Sequence, residues 1–103
     1  MEKMSLEYIA GFFDGEGCVD HTYDKYSGLR LRFTQKDRYV LDKIQKYLGC
    51  GRIYRENRDG MHRLLLRYKT ARKVARLLLP YLIVKKQKVI DGLKIWDDKH
   101  TRP

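Results

Sequence analysis

Three things are scarce in this 103-residue chain, and each scarcity closes off a class of protein. Cysteine occurs only at Cys18 and Cys50, which make no metal-ligand spacing, so both read as reduced packing residues of an intracellular protein. Long apolar runs are missing too. The longest, Leu77 to Val84, is broken by Pro80 and falls far short of the ~20 residues that a membrane-spanning helix needs. The opening Met1-Glu2-Lys3-Met4 has no charged-then-apolar signal pattern, which again points to a soluble intracellular protein with no membrane partner. The third shortage is acidic charge: 13 Asp and Glu face 23 Lys and Arg, for a formal net charge of +10. Such an excess suits a polyanionic partner, and nucleic acid is the commonest. The length fits a single domain over residues 1–103, with one core and little to spare, a size at which a partner subunit often completes the burial.

The chain is organised around Ser5 to Val19, S-L-E-Y-I-A-G-F-F-D-G-E-G-C-V. Read at helical period, Leu6, Ile9, Ala10 and Phe13 form one apolar stripe, and Tyr8, Gly11, Phe12 and Gly15 form a second of small and aromatic residues. One stripe suffices for a core. A glycine in mid-helix costs about 1 kcal/mol against alanine, so Gly11 asks for a steric reason. Glycines four apart supply one, because they let a second helix backbone approach closely. Gly15 and Gly17 bracket Glu16 ahead of the β-favouring Cys18-Val19, so the helix ends there with a carboxylate at its tip.

Further along, Cys18 to Tyr26 reads as a strand that turns at Ser27-Gly28 into a second, Leu29 to Thr34. The second alternates strictly, with Leu29, Leu31 and Phe33 on one side and Arg30, Arg32 and Thr34 on the other. Asp37 caps a second helix whose apolar positions are Val40, Leu41, Ile44, Tyr47 and Leu48, stopped by Gly49. A third strand over 52–56 turns at Asn57-Arg58-Asp59-Gly60 into a fourth over 62–69, with Leu64, Leu66 and Tyr68 inward and Arg63, Leu65 and Arg67 outward. Thr70 caps a third helix with Val74, Leu77 and Leu78 apolar, which Pro80 ends or bends. A last helix runs from about Ile83 to Trp96, followed by a fraying tail over 97–103.

This order predicts an α+β fold, an antiparallel sheet with helices on one face and a wet cationic surface on the other. Arginine dominates that surface: Arg30, Arg32, Arg52, Arg63 and Arg67 share it with Thr34 and Tyr54. The planar guanidinium fork matches phosphates and the major-groove edge of guanine, so the sheet is a candidate DNA-binding face. Thr22, Asp24, Lys25 and Tyr26 of the first hairpin are further candidate DNA contacts.

The nine residues from Ile9 to Gly17, I-A-G-F-F-D-G-E-G, resemble position by position the signature of the LAGLIDADG homing endonucleases. Thr34-Gln35-Lys36 and the segment Pro80 to Lys88 resemble the single-motif, homodimeric branch of that family, and the resemblance extends over residues 5 to about 96. It implies an αββαββα fold with a saddle-shaped sheet lying in the DNA major groove. It also implies a homodimer paired through the Tyr8, Gly11, Phe12, Gly15 face, and hydrolysis of both strands of a palindromic or near-palindromic site. By the same resemblance Glu16 is the metal-binding acid for Mg²⁺ or Mn²⁺, Gln35 orients water, and Lys85, or Lys86 if the last helix is shifted by one, assists the same solvent network or stabilises the phosphate; no small-molecule cofactor is implied. The rival reading is a LAGLIDADG-like domain that binds nucleic acid without cutting, as a splicing factor or transcription regulator.

Overall fold

The computed structural model describes residues 4–21 and 28–100. Ser5 starts the first helix by accepting the Tyr8 N–H on its hydroxyl, 3.0 Å away, and α1 (Leu6–Glu16) leads directly into β1 (Gly17–His21). Then come β2 (Leu29–Gln35), α2 (Arg38–Leu48), β3 (Arg52–Arg55), β4 (His62–Arg67), α3 (Tyr68–Leu78), a 3₁₀ turn (Leu79–Tyr81) and α4 (Lys86–His100). The four strands form one antiparallel sheet in the order β1-β2-β4-β3, so the second strand of each hairpin lies at its centre.

Alternation along the central strands decides which side is the core. Leu29, Leu31 and Phe33 of β2 and Leu64 and Leu66 of β4 are fully buried. They meet Ile9, Ala10 and Phe13 of α1, Leu41 and Ile44 of α2, Ala71, Val74, Ala75 and Leu78 of α3, and Val89 and Leu93 of α4 in a single apolar cluster. All four helices therefore cover one face, and the other is left to solvent. None of the described helices is long and apolar enough to cross a membrane.

Local chemistry explains most of the boundaries. Asp37 accepts the Tyr39 N–H at 2.9 Å and starts α2. Gly49 takes φ 72° and gives its N–H to the Gln45 carbonyl, ending α2 where a side chain at left-handed φ would be strained. Gly17 serves another purpose: a Cβ there would lie 2.2 Å from the Phe13 ring and 2.6 Å from the Phe13 carbonyl oxygen. Only glycine lets the chain double back this tightly from helix to strand.

Several expectations are corrected. Tyr68 does not extend β4 inward, and Thr70 does not cap α3. The helix begins at Tyr68, which adopts φ 57° and is more than a third exposed. Its cap position is Arg67, with no side-chain cap bond, and its buried residues are Ala71, Arg72, Val74, Ala75 and Leu78. Leu77 and Tyr47, expected in the core, stand largely in solvent on the flanks of their helices. The last helix begins at Lys86 rather than near Ile83, because Asp14 of α1 draws the amides of Ile83 and Lys85 into a bend. It continues to His100, and β1 is described as far as His21, the rest of the predicted first strand lying outside the described residues.

Two substitutions test this account by urea unfolding. Gly17→Ala should cost about 1–3 kcal/mol, because the new methyl overpacks Phe13. Asp37→Ala should cost about 1 kcal/mol through loss of the α2 cap.

Candidate active site

Glu16 is the last residue of α1 and is exposed. A carboxylate at the negative end of a helix dipole is poorly placed electrostatically, so a cation beside it is favoured on two counts, by the acid and by the helix carbonyls. Lys85 supplies one: its ammonium donates to the Asp14 carbonyl oxygen in the last turn of α1, at 2.5 Å, and lies 5.9 Å from the centre of the Phe13 ring. Lys86, the alternative, is exposed as the first residue of α4. Gly17, immediately after the acid, pairs with Phe33, so Gln35 lies two residues beyond that pairing point on the adjacent strand. Its side-chain oxygen accepts the Lys36 N–H at 2.9 Å. Lys85 thus reaches the last turn of the helix that ends in Glu16, and Gln35 lies on β2 beyond the residue paired with Gly17.

Asp14 ties this end together. One carboxylate oxygen accepts the Ile83 N–H at 2.8 Å and the other the Lys85 N–H at 3.0 Å. Partial burial alone would raise the Asp14 carboxyl. The amides of Lys85, Ile83 and Val84 and the charge of Lys85 outweigh it and hold the carboxyl below the usual carboxylate range.

On the second face of α1 the two glycines are open among the described residues. A Cβ built on Gly11 or Gly15 meets no heavy atom within 4 Å, and Tyr8 is 50% exposed. Phe12 is half-buried, stacked between Tyr8 at 6.4 Å and Phe33 at 6.3 Å. Gly11 and Asp14 are neighbours three apart on the helix, so the bend that Asp14 holds borders this open face. There Ile83 and Val84 are 84% and 75% exposed.

The strand register puts the expected arginines together. Arg30 pairs with Arg67, Arg32 with Leu65 and Thr34 with Arg63, while Arg52 pairs with Leu65 and Tyr54 with Arg63. Residues paired across a sheet share a side, so all of these lie on the face away from the helices. Acids orient two of the arginines. Arg32 sits 3.1 Å from Asp20 and donates to the Cys18 sulfur at 3.4 Å. Arg63 sits 3.0 Å from Asp59, whose carboxyl is held below its usual range by that guanidinium and by the Met61 N–H. Between them Arg52, Tyr54, Leu65 and Arg67 line a shallow depression of about 330 Å³. Thr22, Asp24, Lys25 and Tyr26 fall outside the described residues.

Sequence reasoning assigned no role to Asp14, Ile83 or Val84. Asp14 stands there only as a member of the nine-residue signature, since its partners lie 69 and 71 positions away. Ile83 stands there as the approximate start of the last helix. As for metal, the described residues of one chain gather no group of three or more His, Cys, Asp or Glu side chains that could hold an ion.

Comparison with known proteins agrees with this geometry. The family model described as LAGLIDADG endonuclease matches residues 9–95. Reverse gyrase of Methanocaldococcus jannaschii is 33% identical over 98 residues, which cover 89% of this chain and 6% of that protein. The DNA endonuclease I-CvuI of Chlorella vulgaris is 27% identical over 96 residues, covering 82% of this chain and 59% of that one. The chain therefore spans only part of the length of both relatives. The crystal structure of the homing endonuclease I-CvuI with its target and 2 mM Ca superimposes with a TM-score of 0.81 at 28% identity, over 93% of this chain and 68% of that one. A second I-CvuI complex, with uncleaved DNA and 2 mM Mg, gives 0.77 at 30% identity over 87% and 64%. With the matched span running from inside the acid-bearing helix to the last helix, this chain belongs to the LAGLIDADG endonuclease family.

Proposed function

We propose that two copies of this chain pair through α1 and cut both strands of a palindromic or near-palindromic DNA site. The observation that carries the reading is the end of α1. An exposed acid, Glu16, sits where an open glycine face, a lysine and the edge of an arginine-rich sheet converge. One chain offers one such acid, and a twofold pair offers two, one for each strand. The Tyr8, Gly11, Phe12, Gly15 surface has the room for a second helix backbone, and Ile83 and Val84 add apolar area along its border.

Arg30, Arg32, Arg52, Arg63 and Arg67, with Thr34 and Tyr54, hold the duplex on each half-site, the guanidinium forks engaging phosphates and guanine edges. At the cut, Gln35 orients the attacking water, and the Lys85 ammonium stabilises charge building on the phosphate. Glu16 fits a hard divalent ion: it is an oxygen donor, solvent-open, at the negative end of a helix. Mg²⁺ or Mn²⁺ takes one or two carboxylates and leaves the rest to water and phosphate. Held by Glu16, such an ion would supply Lewis-acid neutralisation of the phosphodiester. Both I-CvuI complexes were obtained with a divalent cation, which supports the same assignment here.

Two experiments test the reading. Glu16→Gln should lower strand cleavage of a selected target by at least about 10²-fold, with folding and DNA affinity kept. Cleavage that survives the substitution overturns the role of the acid. Gly11→Leu should give a folded monomer by sedimentation, since the single chain has space for the side chain and leucine favours the helix by close to 1 kcal/mol over glycine. A Gly11→Leu dimer that still cuts would exclude pairing through this face.

A further inference from the structure

Four residues, 82–85, link the 3₁₀ turn to α4; Leu82 is buried in the core, and the three that follow it form no regular structure of their own. Apolar burial does not hold them, for Ile83 and Val84 are among the most exposed hydrophobic side chains described. Yet Lys85 is placed with its ammonium on the last turn of α1, and a flexible four-carbon stem cannot by itself fix an ammonium at one point.

We infer that Asp14 is the positioning residue that sets Lys85 against Glu16. The inference rests on the proposed nuclease reading for its functional consequence and on geometry for its structural part. Asp14 reaches the bend at three points. Its two carboxylate oxygens take the Ile83 and Lys85 amides, at 2.8 and 3.0 Å, and its own carbonyl takes the Lys85 ammonium. The side chain therefore fixes the backbone of Lys85 while the main chain fixes the charged end, so the lysine is held at both ends by one residue. Asp14 is also only two residues before Glu16 on the same helix, whose end is locked by Gly17 against Phe13. The spacing between the acid and the ammonium thus passes through one rigid half-turn. A carboxylate is needed because two amides converge on it. Asparagine offers one acceptor and turns an NH₂ toward the other donor, and alanine offers none.

Amide hydrogen exchange and single-turnover cleavage together decide the matter, on wild type, Asp14→Ala, Asp14→Asn, Lys85→Ala and the double variant Asp14→Ala/Lys85→Ala. In Asp14→Ala, exchange at Ile83 and Lys85 should accelerate by at least about tenfold while the amides of β2 and β4 stay protected. The cleavage rate on bound DNA should fall about 10–100-fold, with DNA affinity and dimer mass kept. Asp14→Asn should fall between wild type and alanine in both measurements. The double variant should cut no more slowly than Lys85→Ala alone, since Asp14 acts through the lysine. A residue that served only stability would instead lower affinity and add its effect to that of Lys85→Ala, and that result overturns the inference. Unchanged exchange at Ile83 and Lys85 overturns it as well, whatever the cleavage data. A wild-type chain that cuts no DNA in a random-site selection removes the nuclease reading, and the exchange data then still decide whether Asp14 holds the bend.

Discussion

The packing of Phe13 on Phe33 fixes where the acid of this protein stands. The two rings meet at 5.0 Å and 58°, a tilted contact that seats α1 across the central strand. Gly17 then passes so close to Phe13 that no side chain fits. Between these two constraints the end of α1 has little freedom, and Glu16 is carried on a rigid support rather than on a loop. A catalytic constellation is only as precise as the elements that carry it. The same seating turns Tyr8, Gly11 and Gly15 outward, so burial of one stripe of the helix and exposure of the other are a single event.

Electrostatics follow from that placement. A carboxylate at a helix C-terminus is unfavourable in isolation, and the protein places one cation, Lys85, on a carbonyl of that last turn. Part of the arginine surface is held in place before any partner arrives, with Arg32 against Asp20 and Cys18 and Arg63 against Asp59. Such pairs are partly exposed and add little to stability. Their effect is geometric, because a guanidinium already oriented loses less freedom when it meets a phosphate or a base edge. Much of the chain's +10 charge makes sense as a field for a polyanion.

Reading the sequence by period worked where a segment had one buried side. β2 alternates without exception, and its inward residues Leu29, Leu31 and Phe33 are buried as expected. The cap Asp37 and the stop Gly49 bound α2 as their chemistry requires. Period failed where small residues carried the packing. In α3, Ala71 and Ala75 are buried while the more hydrophobic Leu77 is not, so the helix starts earlier than its large residues suggest. It failed again at the start of the last helix, expected near Ile83, for Ile83 and Val84 stand in solvent ahead of α4.

The order of elements, the buried side of each strand, the glycine spacing on α1 and the acid at its tip all follow from local patterns, because side-chain period and turn chemistry act over a few residues. The nine-residue signature was legible as a position-by-position resemblance to a known family. Only the folded chain decided that Lys85 rather than Lys86 reaches the last turn of α1, that Asp14 anchors the segment bearing it, and that arginines from three strands share one surface. Those facts depend on hydrogen bonds and strand pairings between residues tens of positions apart, and no periodicity along the chain records which distant amide a carboxylate will meet.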